Sequence, residues 1–321
     1  MAEAENQSYK MEENKSKKEI KDDEKYLIFH SEGGHGKQIM ATAVIRAFKK
    51  KYPDRKLIWI TPWDGPAFYN PNIYRFYSFS ELKYFYDDYV NMKDSKIFRH
   101  EPYHDEDHIL QRKHLTKTWC DMYDLPYDGS QPELYLNPRE IEIAKDKIKP
   151  HLGKPIMLLQ THGGGPGQYS KKSWARDMPI ETAQRLVNYY NKNYRILHLR
   201  RGDQPALEGV EVLNLPFREL YAVFLLSTKR LFIDSFAQHV AAALNLPSTV
   251  CWIANKPHVF GYDMHTNVLP HAHLWQELNK YSYLDKFDIS GQIQQFPYDN
   301  VNVFDINKIV EAVDSQPAKL S

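Results

Sequence analysis

The chain has little with which to cross-link itself and no surplus of either charge. Only two cysteines, Cys120 and Cys251, occur in 321 residues. They fall in different halves, which argues against a disulfide framework and against a zinc site built of cysteines. Lys+Arg number 42 against Asp+Glu 41, a net charge of +1, so the molecule as a whole does not read as a polyanion binder, although a local basic cleft stays open to it. No apolar run approaches the ~20 residues of a membrane-spanning helix and the N-terminus has no apolar signal core, so a soluble, cytoplasmic protein is expected. Residues 1–24 alternate Glu, Lys, Asp and Asn with almost nothing to bury; they read as a disordered tail without a catalytic role. No internal repeat is present.

What the sequence does have is a recurring strand, turn and helix. At ~100–200 residues per domain the length calls for two. Tyr26–His30 reads as a strand, Ser31–Lys37 as a glycine-rich turn, the stretch through Lys50 as a helix and Lys56–Thr61 as the next strand, a right-handed βαβ unit opening a parallel sheet. A loop-rich middle, Pro62 to His114, leads to a helix at Leu115–Tyr123 and a charged helix at Pro138–Lys149. The run Pro150-His151-Leu152-Gly153-Lys154-Pro155 breaks that helix and marks the boundary between residues 25–150 and 151–321. The βα pattern restarts with a strand at Ile156–Gln160, a helix at Pro179–Asn191, a strand at Tyr194–Leu199 and a helix at Phe217–Leu226. A closing amphipathic helix at Val303–Val313 should pack on one of the halves. The expected fold is α/β: two Rossmann-like domains facing each other across a cleft. Aromatic residues make up 13% and crowd between Trp59 and Tyr89, where they serve either packing or a stacking wall for a sugar or base.

Four stretches carry chemistry. In Leu231–Pro257, Asp234 and Ser235 stand where a strand stops and a helix begins, so the free N–H groups of the first turn converge with their side chains on a place for an anion; His239 lies about one turn further on. The plainer reading makes Asp234 or Ser235 an N-cap and His239 a satisfied histidine. Ser31-Glu32-Gly33-Gly34-His35-Gly36-Lys37-Gln38 superficially matches a triphosphate-binding loop, but Gln38 stands where the magnesium-holding Ser or Thr belongs. It is otherwise a turn that lets strand meet helix, or one that presents His35 or Lys37 to reacting atoms. Gln160–Gly167, including Gly164, follows the first strand of the second half, where exposed N–H groups suit a pyrophosphate; Lys172, Arg176, Arg200 and Arg201 add cations. Finally, His100, His104, Asp105, Glu106, Asp107, His108 and His114 cluster, and Asp105-Glu106-Asp107 has the form of a metal-holding Asp-x-Asp, but it sits in a loop-rich region rather than after a nucleotide-binding strand, and no metal is expected there.

Asp234-Ser235-x-x-x-His239 followed by Val-Ala-Ala-Ala-Leu-x-x-Pro resembles the donor-site segment of the ADP-heptose:lipopolysaccharide heptosyltransferases, glycosyltransferase family nine, with Phe236-Ala237 in place of the family's Gly-Pro. Tyr26–Thr61, Lys172-Ser173-Trp174 and Pro216–Leu220 are similar to family segments in the same order, so the likeness spans most of residues 26–260. The resemblance implies a GT-B architecture with the acceptor on the first domain and a nucleotide-sugar donor on the second. It also implies a donor site from Gly164, Lys172, Arg176, Arg200, Asp234, Ser235 and His239, with Asp234 toward the sugar hydroxyls and Ser235 and His239 toward phosphate. Where the family carries a proposed general base, Asp, this chain has Lys37, which at an ordinary pKa is protonated at pH 7 and cannot take a proton; His35 can, and is the expected base.

The implied activity is inverting transfer of a sugar from a nucleotide-diphosphate donor to an acceptor hydroxyl, without metal or cofactor. The acceptor, a glycan or lipid-linked saccharide among others, is left open. One alternative is glycosylation of hydroxymethylated bases of viral DNA, with Arg112, Lys113 and Lys117 as candidate contacts. Another is a non-catalytic nucleotide-sugar-binding module.

Overall fold

The computed structural model describes residues 24–79, 82–149, 153–164, 176–279 and 302–317. Strand β1 (Lys25–His30) leads through a tight turn into helix α1 (His35–Lys51) and strand β2 (Lys56–Ile60). The middle then forms β3 (Arg75–Tyr77), α2 (Phe85–Tyr89), β4 (Asp94–Phe98), α3 (Glu106–Ile109) and α4 (Leu115–Met122). These strands form one parallel sheet in the order β3-β2-β1-β4. Tyr26–Phe29 and Leu57–Ile60 are buried without alternation, as strands covered on both faces must be.

Helix α5 (Pro138–Ile148) starts at a full capping box, Asn137 with Glu140, and has Pro138 in its first turn. After it come β5 (Ile156–Leu159), α6 (Ile180–Tyr190), β6 (Arg195–His198), β7 (Glu211–Val212), α7 (Phe217–Phe224), β8 (Lys229–Ile233), α8 (Phe236–Ala243), β9 (Thr249–Cys251), α9 (Pro257–Phe260), β10 (Thr266–Val268), α10 (Ala272–Asn279) and α11 (Ile306–Asp314). The second sheet is also parallel, in the order β10-β9-β8-β5-β6-β7. α11 closes the chain by burying Ile309, Ala312 and Val313 in the core of this sheet.

Two features position the site. Each sheet has a point where chain order reverses, between β1 and β4 in the first and between β5 and β8 in the second, and the crevices beyond the carboxyl ends of such strands are where α/β folds bind ligands. Helix α1 is buried around most of its circumference, because it is shared. Ala41, Val44, Ile45 and Phe48 pack in the first sheet's core, while Ile39 packs with Leu220, Ala237 and Val240 of the second half. Helix α5, which precedes the break at residue 150, likewise buries Ala144 and Ile148 with Ile156, Leu158 and Leu197 of the second sheet.

The strands β3, β4, β7 and β10 were not foreseen. β4 has the burial pattern of a half-exposed edge, with Ile97 54% exposed, so its sequence carries no apolar run to signal a strand. The predicted tail, apart from Glu24, lies outside the described residues.

Candidate active site

The two reversal points look into a common cavity of 510 Å³. Its walls are the carboxyl-end loops of both sheets: Gly33–Lys37 after β1, Trp63 after β2, Gln160 and Gly164 after β5, Leu199, Arg201 and Gln204 after β6, and Asp234–Phe236 with His239 after β8. Gly33 and Gly164 adopt left-handed backbone, φ 104° and 81°, which explains glycine at both turns.

At its floor α1 touches α8 almost backbone to backbone. A Cβ at Gly36 would lie 2.7 Å from His239 Cδ2 and 3.3 Å from Phe236 Cα. One residue earlier His35 reaches the second half. Its ring stacks on Phe217 at a centroid distance of 3.7 Å and 11° between planes, with the edges of Trp63 and Phe236 closing around it. Its Nε2 shares a hydrogen bond with the buried Tyr221 hydroxyl, while Nδ1 is buried without a hydrogen bond. Burial, with the Arg201 guanidinium adding to it, lowers His35 to about 3. The expected base is therefore neutral, as required, but has low proton affinity and one nitrogen engaged. Phe217 and Tyr221 lie one turn apart on α7, a spacing that could have flagged Tyr221 from the sequence.

Lys37 is a cavity wall, not a free cation. Its ammonium binds both oxygens of Glu101 and lies 4.6 Å from the Tyr103 ring centroid and 5.2 Å from that of Trp119. Burial lowers its pKa while Glu101 opposes that shift. Glu101 accepts a further bond from Tyr103 N, 3.2 Å away. The pair places a carboxylate beside the turn, which the sequence reading missed because Glu101 lies 64 residues away in the chain.

On the other wall, Ser235 occupies the N-cap of α8 in extended backbone, yet its side chain does not cap the helix; its hydroxyl accepts from Gln160 Nε2 at 3.2 Å. The first-turn N–H groups thus keep the capacity to hold an anion. Asp234 is buried and accepts from Asn255 Nδ2 at 2.5 Å and Gln238 Nε2 at 3.1 Å. Burial raises its pKa, and Arg176 with the two amides pulls it back. His239 Nδ1 is 2.8 Å from the Tyr262 hydroxyl, and burial lowers this histidine to about 3.

Arg176 and Gly164 line the cavity. Arg200 does not: its Nε bonds Gln204 O at 2.6 Å and shapes the turn after β6. Arg201 takes the expected place, its guanidinium 4.3 Å from the Phe217 ring centroid. The turn is held by Gln204, which accepts from Arg201 N at 2.9 Å and donates to Gly163 O at 3.0 Å. Lys172, Lys172-Ser173-Trp174 and Gly165–Gly167 lie outside the described residues.

Elsewhere, Asp105 caps α3 and Asp107 pairs with Arg112 and Lys113, while Lys113 and Lys117 also pair with Asp121. Among the described residues no three His, Cys, Asp or Glu side chains assemble as a metal-binding group, and no helix is long and apolar enough to cross a membrane.

No family model and no curated protein sequence matches the chain. Solved structures do. A glycosyl transferase family 9 protein from Veillonella parvula DSM 2008 aligns with TM-score 0.62 at 11% identity, covering 92% of this chain and 97% of that one. ADP-heptose lipopolysaccharide heptosyltransferase II of E. coli aligns with TM-score 0.56 at 12% identity, over 81% and 96%. TibC, a dodecameric iron-containing heptosyltransferase from enterotoxigenic E. coli H10407 solved in complex with ADP-D-β-D-heptose, aligns with TM-score 0.62 at 12% identity, over 90% and 76%. At such identities the likeness is one of fold, and the fold is GT-B.

Proposed function

We propose that this chain is a glycosyltransferase that moves a sugar from a nucleotide-diphosphate donor to an acceptor hydroxyl, with inversion and without a metal. The observation that carries the reading is the uncapped N-terminus of α8 opening into the cavity at the β5/β8 reversal point, beside Arg201 and Arg176. The second half, taken as residues 151–321, binds the donor and the first, residues 25–150, the acceptor. The diphosphate lies against the α8 N–H groups. As the C–O bond to the sugar breaks, the charge developing on the leaving phosphate is met by that helix end, Arg201 and Arg176, with Lys172 and neutral His239 as further donors. His35 takes the acceptor proton as the acceptor oxygen bonds to the anomeric carbon. A diphosphate beside Arg201 raises the proton affinity of His35, because it offsets the guanidinium that helps to depress it and adds negative charge nearby.

The test is calorimetry with nucleoside diphosphates and nucleotide sugars, followed by transfer assays in EDTA. Binding of a nucleoside diphosphate that Arg201→Ala weakens supports the reading. Absence of binding across the panel removes the donor site, and turnover lost in EDTA and restored by magnesium or manganese removes the metal-free step.

A further inference from the structure

The carboxyl-end edge of the first sheet presents a surface that the donor reading uses only at Trp63. The loops at the carboxyl ends of its strands bring Glu32 from β1, Trp63 from β2, Phe79 from β3 and Arg99 from β4 to one edge beside the cavity. Trp63 is 37% and Phe79 42% exposed, although large rings in a sheet-end loop lose free energy by facing water. Both are fixed. Trp63 Nε1 donates to Gly33 O at 3.2 Å, and Phe79 meets the His30 ring edge to face at 4.8 Å between centroids. Between them Glu32 lies 3.5 Å from His30 Nε2 and 3.7 Å from the Arg99 guanidinium, its side chain 56% and that of Arg99 70% exposed.

We infer that this edge is an acceptor subsite for an uncharged saccharide, a conclusion that rests on the transferase reading. Two pinned, partly exposed rings offer flat apolar faces to the C–H face of a pyranose, and an exposed carboxylate and guanidinium offer an acceptor and donors to its hydroxyls. Charge complementarity selects against a polyanion. Arg99 faces Glu32 and Lys37 faces Glu101, so these two cations of the first half are each met by a carboxylate, and a phosphate backbone would have to displace those partners. The proposal thereby favours a neutral glycan over duplex DNA as the acceptor.

The experiment is saturation-transfer NMR on the full chain with maltotriose, cellotriose and chitotriose, alongside a 12-base-pair DNA duplex and a heparin hexasaccharide. At least one neutral trisaccharide should bind with an affinity that does not change between low and high salt. Trp63→Ala and Phe79→Ala should weaken it roughly tenfold. Trp63→Phe keeps a ring while losing the bond to Gly33 O, and should retain most of the binding, which separates stacking from damage to the turn. Calorimetry with ADP on Phe79→Ala, whose ring does not line the cavity, reports the donor half independently, and should be unchanged. Failure of all three saccharides, binding that survives loss of both rings, or salt-dependent binding of only the anionic ligands would overturn the proposal. Absence of binding to wild type across the panel of nucleoside diphosphates and nucleotide sugars, with saccharide binding intact, would instead overturn the donor reading.

Discussion

Gly36 is the residue on which the approach of the two halves depends most directly. Its position in the first turn of α1 would be filled as readily by alanine on helix propensity alone, and alanine would be preferred. The 2.7 Å that would separate a Cβ from His239 Cδ2 reverses that preference. Gly36→Ala is expected to destabilise the protein by about 1–3 kcal/mol, the usual cost of overpacking, read from denaturant unfolding; equal or greater stability would mean that α1 and α8 can separate freely. At His35 the expectation is kinetic. His35→Ala should lower kcat by ~10²–10⁴ with ADP binding retained, since a base acts on the transition state. In wild type kcat should rise with pH through the His35 ionisation of the donor complex, because only neutral imidazole accepts a proton. A variant with near-normal kcat would transfer the role to Glu101, whose Glu101→Gln change should leave Lys37 buried without a counter-charge.

Helices and strands differ in how plainly the sequence announces them. β1, β5 and β8 each contain an apolar run of three or four residues followed by a turn, and the sequence is enough to place them, as it is to place α1, α6 and α7 by their period. β3 and β7, of three and two residues, are edge strands whose existence depends on a neighbour's free backbone groups, which no local pattern encodes. The site follows the same division. Asp234, Ser235 and His239 were legible because strand, turn and helix are contiguous. Glu101 and Tyr262 were not, because they meet the site only after distant segments pack, and Arg201 rather than Arg200 faces the cavity because the backbone bends at a turn held by Gln204. The donor reading makes α8 and the β6 turn act as one anion holder. Arg201→Ala should thus weaken nucleoside diphosphate binding by about 1.5–3 kcal/mol in calorimetry, the scale of a charge-assisted hydrogen bond, and an unchanged affinity would exclude it.

Burial holds several histidines of the molecule in neutral form. His35 and His239 are lowered by burial to about 3, and His108, His162, His198 and His265 to about 4. In the unfolded chain the same rings titrate near 6.5, so as pH falls below that value the unfolded state takes up protons that the folded state refuses. Stability from these sites is fully present above about pH 6.5 and is lost progressively toward pH 4 and below. The melting temperature should fall by roughly 5 °C or more between pH 7 and pH 5, and a flat profile would show that these rings are not buried in solution. A final consequence follows from α5. Since Ala144 and Ile148 lie in the core formed by Ile156, Leu158 and Leu197, a gene fragment beginning at residue 151 would yield a polypeptide with an uncovered greasy flank and should be recovered in inclusion bodies. One beginning near residue 130 would carry its own cover, and is the piece to express when the second half is wanted alone.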